Sequence, residues 1–285
     1  MKALLGILIL STFLLQLAPH AHAVDLNIAM DFNLSVGAAI PAGSPQPLVV
    51  IDPSKLDNDG NYLIFSSAHA VVSTGAARGE TYLRQGGSID LQTKEHVESP
   101  SGAATEWIYN SFRKITLSGD QNVSLWGNAL TAGTTIAYDE ALLIAIPLNP
   151  YLDENVDWWY DENTTIKANM DNTFASNVGA RVTFTPDGTS DYLIFGNGQI
   201  TVDAVDDDVL RMEISDGTTQ YAVSMRDGED LEDVAILFAM TTVRKPPPVS
   251  TTYQLRFNGD TTGDHNSSRL FILRLNAFAA HDFNS

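Results

Sequence analysis

The sequence predicts an all-β chain, built as two tandem antiparallel β-sandwich domains, and three observations carry that prediction. The first is a repeat. Asp59-Gly60-Asn61 leads into Tyr62-Leu63-Ile64-Phe65, and the same four residues return as Tyr192-Leu193-Ile194-Phe195 after Thr189-Ser190-Asp191. Copies so far apart mark a duplicated domain rather than a solenoid of short repeats. The second is spacing: short apolar, β-branched and aromatic runs recur at intervals of roughly 8–12 residues with turn residues between them. The third is that no stretch shows a convincing helical period.

The elements follow in order. Residues 24–36 place Val24, Leu26, Ile28, Met30, Phe32, Leu34 and Val36 at every second position, the pattern of a half-buried strand. That strand reads either as an edge strand of domain 1 or as a donor strand completing a neighbour's sheet. Pro41, Pro45 and Pro47 with Gly43 form a loop, and 48–51 a short strand. Residues 62–72 form the first repeated strand, apolar enough to lie in a sheet buried on both faces. Weaker strands at 76–83 and 88–93 are split by Gly86-Gly87. Segments 107–112 and 115–117, then 123–126 and 141–148, complete the copy.

The second copy keeps this order. Residues 181–184 match 48–51, and 192–202 match the strand after Tyr62. Residues 210–214 and 220–225 pair around Asp216-Gly217, a hairpin dipeptide. Residues 235–240, 253–257 and 270–275 match the last strands of the first copy. A strand closing each copy after a meander is compatible with a jelly roll. Between the copies, 151–165 carries enough charge to read as a linker, and 166–174 reads as the counterpart of 24–36. The expected organisation is thus 1–23 signal peptide, 24–150 domain 1, 151–165 linker and 166–285 domain 2.

The N-terminus has a basic residue, Lys2, an apolar run over 3–17 and Ala21-His22-Ala23, which together read as a secretory signal peptide cut after Ala23. The run is shorter than the ~20 residues a spanning helix needs. A secreted or cell-surface protein with no membrane insertion after cleavage is therefore expected. The 285-residue chain has a formal net charge of −19 and no cysteine. Such acidity repels nucleic acid and anionic lipid, and a secreted chain without disulfides must be held by its cores.

The chemistry is sparse. His69, His96, His265 and His281 show no zinc spacing. Glu95, Glu98 and Glu106 are the only grouping that suggests a hydrolytic carboxylate pair, and nothing separates them from solvated charges. The sequence calls for no cofactor; calcium is the one alternative, because Asp57, Asp59 and Asn61 alternate oxygen ligands around Gly60 and Asp206 and Asp208 form a second acidic group, although such clusters are more often solvated turns. Trp158, Trp159 and Tyr160 are aromatic in a polar setting, so they either pack between the domains or form a platform for glycans. Trp107 and Trp126, in apolar strands, are expected in the core. Sequons stand at Asn33, Asn122, Asn163 and Asn266.

The pattern of Asp-Tyr-Leu-Ile-Phe, two weaker strands, a Phe-containing strand, a Ser-Gly turn, an alternating strand and Leu-Leu-Ile-Ala-Ile resembles the β-sandwich repeat of phage and virus-like structural proteins. That resemblance spans 48–148 and 181–276 and implies a jelly roll used for fibre, decoration or attachment. Together these features predict a non-enzymatic structural or adhesive surface or filament component. Its partners would be copies of itself or other surface proteins. A carbohydrate- or calcium-dependent binding module is the alternative.

Overall fold

The computed structural model describes the chain except for residues 1–27, 34–38, 57–59, 73–76, 99–104, 119, 150–151, 171–178, 203–207, 229–232, 260–262 and 276–285. The signal-peptide segment lies outside the described residues. The rest forms two compact units that part at Leu152.

Unit 1 comprises β1 (Ala29–Asn33), β2 (Ile40–Pro41), β3 (Gln46–Ile51), β4 (Gly60–Val72), β5 (Arg78–Gln85), β6 (Ser88–Ile89), β7 (Glu95–Glu98), β8 (Thr105–Leu117), β9 (Val123–Ala129) and β10 (Thr135–Pro147). Unit 2 comprises β11 (Trp158–Asn163), β12 (Lys167–Met170), β13 (Arg181–Phe184), β14 (Tyr192–Val202), β15 (Asp208–Ser215), β16 (Gln220–Gly228), β17 (Asp233–Val243), β18 (Thr251–Gly259) and β19 (Gly263–Arg274). All ladders are antiparallel, ordered β1-β10-β4-β8 and β3-β9-β5-β6 in unit 1, and β11-β19-β14-β17 and β13-β18-β15-β16 in unit 2. Counting principal strands within each unit, both read 1-8-3-6 and 2-7-4-5, the interleaving of a jelly roll. The short β2 and β12 also correspond, since each pairs with the last strand of its unit.

The repeated tetrapeptides sit in β4 and β14, each flanked by two neighbours in its sheet. All four side chains of each tetrapeptide are buried, from Tyr62 to Phe65 and from Tyr192 to Phe195. Successive strand residues point to opposite faces, so these sheets are covered on both sides, as their unbroken apolar run predicts.

Within each sandwich, large side chains of one sheet are received by glycines of the other. A Cβ on Gly127 in β9 would lie 2.5 Å from the Tyr138 ring of β10, and one on Gly198 in β14 would lie 2.3 Å from Phe257 of β18. Tyr138 is fully buried; its Oη donates to the Glu80 carbonyl at 3.1 Å and lies 3.0 Å from Thr81 Oγ1. Its hydroxyl is thus satisfied.

Two sequence expectations change here. In β1 the alternation is real but its phase is reversed: Ala29 is buried, whereas Met30 and Phe32 are 51 % and 56 % exposed. β1 is an edge strand that pairs with β10 of its own unit, with Met30 opposite Ile144 and Phe32 opposite Leu142. The stretch expected to link the domains is the second correction. After a turn at Asp153–Asp157, with Asn155 at φ 65°, it enters β11, the first strand of unit 2. The counterpart of β1 is therefore β11, not 166–174. Its acidic residues had disguised it, and two of them answer arginines: Asp157 pairs with Arg274, and Glu162 Oε1 lies 2.9 Å from Nε of the wholly buried Arg269.

Two histidines are held neutral by their surroundings. His265 is fully buried, its ring nitrogens 3.1 Å from the Thr165 carbonyl oxygen and 3.0 Å from Ser268 Oγ, with Phe257 packed against it. Burial pushes its pKa down to about 4. His96 on β7 is likewise lowered to about 4, by burial first and then by the charges of Arg78 and Lys94.

Gly127→Ala and Gly198→Ala should each destabilise the protein by roughly 1–3 kcal/mol through overpacking, partly offset by a less flexible unfolded chain. Urea unfolding would read this as a lower midpoint, and unchanged midpoints would mean that the sheets tolerate a wider gap. The histidines make stability fall with acid. Above pH 6.5 both states are neutral and the fold is fully favoured. As pH drops from 6.5 towards 4, only the unfolded chain takes up these protons. The urea midpoint should therefore be lower at pH 4.5 than at pH 7, and His265→Gln should flatten that slope; a flat wild-type profile would contradict the neutral histidines.

Candidate functional site

A polar concavity lies in unit 1, where the β5–β6 hairpin faces β8. Gly86 and Gly87 carry φ values of 53° and 88°, so two left-handed residues close the tight turn that sets Gln85 opposite Ser88. Past β6 the chain makes a 3-10 turn at Leu91–Thr93. Thr93 anchors that turn: its Oγ1 accepts from Leu83 N at 3.0 Å and donates to the Asp90 carbonyl at 3.0 Å. From the opposite sheet, buried Tyr109 donates its hydroxyl to the Thr93 carbonyl at 2.8 Å, and burial pushes that phenol up to about 12. The turn is therefore held from both sheets, and Asp90 is delivered to Arg113 of β8 as an ion pair.

Between hairpin and β8 lies a cleft of about 470 Å³, within the usual size for a small-molecule site. Leu83, Ile115 and Val123 supply buried apolar lining, while Arg84, Arg113 and Lys114 bring three cations and Asp90 the one carboxylate. Gln85 bridges its far end, donating to the Thr116 carbonyl at 2.7 Å and to Gln121 Oε1 at 3.2 Å.

Arg84 joins the cleft to the outer face of β5 and β9. Its guanidinium carbon stands 3.9 Å from the Trp126 ring centroid, a cation–π stack, and Nη2 donates to Tyr82 Oη at 3.3 Å. Trp126 is half-buried on this face, with Nε1 donating to Ser124 Oγ at 2.7 Å. It is not the core residue that its apolar strand suggested, because its neighbours Leu125 and Gly127 take the inward positions. Further along the same face Glu80 accepts from Asn128 at 3.1 Å and pairs with Lys94, and Arg78 lies 3.0 Å from His96 Nδ1.

The residues singled out from sequence fare differently. Trp158 is fully buried, stacked on Phe271 at 5.9 Å, with Nε1 donating to the Leu152 carbonyl. Trp159 is buried against Phe184 at 4.3 Å and belongs to the core of unit 2. Both are structural members of β11, so neither offers a ring face to a sugar. Tyr160 is half-buried and donates to Glu162 Oε2 at 3.3 Å. Of the calcium candidates, Asp57, Asp59 and Asp206 lie outside the described residues, and Asp208 opens β15 opposite Gly228. Asn61 Oδ1 accepts from Thr116 Oγ1 at 2.7 Å and its amide nitrogen donates to Asn149. No three His, Asp or Glu converge on a metal position among the described residues.

Two described acidic turns are organised by backbone instead. Asp187 accepts from the amides of Thr189 and Ser190; burial would raise its pKa, but these bonds and the Ser190 hydroxyl hold it well below the usual range. Asp216 is similar, lowered to about 2 by Tyr221, Thr219 and Thr218 against the opposing effect of burial. Glu95 is wholly buried on β7 and Glu106 exposed on β8, so that pair does not form, and Glu98 is placed only by its strand. Glu106 is instead near His69, whose Nδ1 lies 2.5 Å from Asp139. His281 lies outside the described residues. No helix among the described residues is long and apolar enough to cross a membrane.

No family model matches the chain, and no curated protein does. Among solved structures it is similar to Eiger TNF from S. frugiperda, at 11 % identity over 46 % of this chain and 97 % of that one, with a TM-score of 0.34. It is similar to the CBM22-1-CBM22-2 tandem domain of Xyn10C from Paenibacillus barcinonensis, at 10 % identity over 90 % and 100 %, TM-score 0.27. The T13 IBDV viral particle protein is similar at 9 % identity over 91 % and 69 %, TM-score 0.29. At these scores the likenesses carry no functional argument, and the jelly roll rests on the sheet order itself.

Proposed function

We propose that this chain is a secreted, non-enzymatic structural or adhesive component that assembles with copies of itself through sheet edges. The observation that supports this most is β16. It ends its sheet, pairing with β15 alone among the described strands. Gln220 to Met225 contains no charged residue, and Val223 and Met225 are 44 % and 63 % exposed.

An outer strand offers unpaired backbone N–H and C=O groups, and proteins that stay apart usually blunt such edges with charge, proline or a bulge. Proline stands on β3, where Pro47 adjoins a register shift, and acidic residues stand on β11. β16 carries neither proline nor charge from Gln220 to Met225, and its one register shift, at Tyr221, stands at the hairpin end before Val223 and Met225. A second β16 added antiparallel would set neutral residues against neutral residues. That matters in a chain of net charge −19, whose copies repel one another over most of their surface. Apolar side chains would then meet across the new ladder. β1, with exposed Met30 and Phe32 on either side of Asp31, is a second outer strand, on unit 1.

Size-exclusion chromatography with light scattering tests this. The wild type should self-associate as concentration rises, more so at higher salt, because salt screens the net repulsion. Val223→Lys with Met225→Lys should return it to monomer, whereas Met30→Lys should do so only if β1 is the edge used. A wild type that stays monomeric at every concentration and salt level would sink the proposal.

A further inference from the structure

We propose that Met225 on β16 is a methionine oxidation site, and that a peroxide acting on its thioether releases copies of the chain from one another. The inference rests on the edge-to-edge assembly proposed above and adds how that contact is undone.

Sulfur chemistry narrows the choice. The chain has six methionines and no cysteine, so thioethers are its only sulfurs and a peroxide meets no thiol first. Burial then separates the methionines. Met225 is 63 % exposed and Met30 51 %, whereas Met212 is wholly buried, its sulfur 3.3 Å from the position a Cβ on Gly198 would take. Met240 is half-buried on β17. Oxidation follows access to the sulfur, so the thioethers that react first among the described side chains stand on the two outer strands, β16 and β1.

Place decides the consequence. Ser224 faces Met212 of the core, so its neighbours Val223 and Met225 share the opposite, outward face of β16. In an added antiparallel β16 these are the apolar side chains that meet across the new ladder. A sulfoxide replaces the apolar thioether with a polar S–O group. Burying that group without a donor costs free energy, and in the separate chain water satisfies it. The step itself is balanced. A lone pair on the Met225 sulfur attacks one oxygen of the hydroperoxide, the S–O bond forms as the O–O bond breaks, and the other oxygen leaves as water. Sulfur is oxidised and the peroxide reduced, and a thiol-dependent sulfoxide reductase reverses the change.

The test uses the full chain and hydrogen peroxide. Peptide mapping by mass spectrometry should find sulfoxide at Met225 and Met30 well before Met212; oxidation of Met212 at the same rate would contradict the selectivity. At a concentration where the wild type self-associates, light scattering should then show association weakened about tenfold or more. A methionine sulfoxide reductase with dithiothreitol should restore it. Met225→Leu keeps the volume and loses the reactive sulfur, so it should associate as the wild type does and resist peroxide. Met225→Gln, polar and unreactive, should associate as poorly as the oxidised protein. Circular dichroism checks that each protein stays folded. Should Met225→Gln fail to fold, oxidised wild type against oxidised Met225→Leu still decides. Undiminished association of a wild type whose Met225 is oxidised would overturn the proposal and leave the assembly reading standing. Equal loss in peroxide-treated Met225→Leu would also overturn it, by placing the sensitive group elsewhere. A wild type that is monomeric before any peroxide is added would sink the assembly reading, and the proposal with it.

Discussion

Each sandwich closes because a ring on one sheet meets a glycine on the other. Packed sheets stand about 10 Å apart, and a gap of that width cannot hold two full side chains end to end. Tyr138 therefore lies over Gly127, and Phe257 over Gly198. The rest of the fold depends on this exchange. It sets the face of β9 that turns inward, and hence places Ser124, Trp126 and Asn128 outward beside Tyr82, Arg84 and Glu80. The polar face of unit 1 follows from the packing behind it, since one residue of register slip would exchange the two faces.

With no cysteine to constrain the chain, the cores and a set of shielded ion pairs do the holding. Lys94 pairs with Glu80, Arg256 with Glu213 and Arg269 with Glu162, and at least one partner of each is buried. Such pairs are poor sources of net stability, because desolvation offsets most of the attraction, but losing one partner strands the other charge. Their positions carry information instead. Glu162 stands directly opposite Arg269 on β19, and Glu213 opposite Arg256 on β18. A shifted register would bury a charge without its partner, so these pairs penalise the wrong ladder more than they reward the right one.

What could be read in the sequence divides along the same lines. Tyr62–Phe65 and Tyr192–Phe195 announced themselves because a doubly buried strand must be apolar at every position, and repetition removed the ambiguity of a short apolar run. β11 is hidden for the opposite reason. Its Asp161 and Glu162 look like linker residues until their partners are known: Asp161 accepts from the Arg181 amide and Glu162 meets Arg269, contacts that lie 20 and 107 residues away. The reversed phase of β1 has a related cause, since alternation reveals a strand without saying which of its faces is covered. The cleft was invisible altogether. Arg84, Asp90 and Arg113 fall on different strands and loops, and only the β5–β6 hairpin and the 3-10 turn bring them together. Gly86-Gly87 was the one local sign, and it marked a turn rather than a site.

The same acidity that hides β11 also bears on function. A net charge of −19 discourages contact with anything negative, including another copy, over most of the surface. Contact is then favoured only where the chain departs from its own average. β16 departs by being neutral along its edge. The cleft gathers cations, but its own chain engages them: Arg113 pairs with Asp90, Arg84 stacks on Trp126, and Lys114 has interactions of its own. These exceptions differ in kind. A neutral edge suits a partner that brings its own backbone hydrogen bonds, whereas cations already engaged leave the cleft little charge to offer one. β16 belongs to unit 2 and the cleft to unit 1. Divergence between the copies reaches the core itself, since the glycine that receives a ring stands on β9 in unit 1 and on β14 in unit 2.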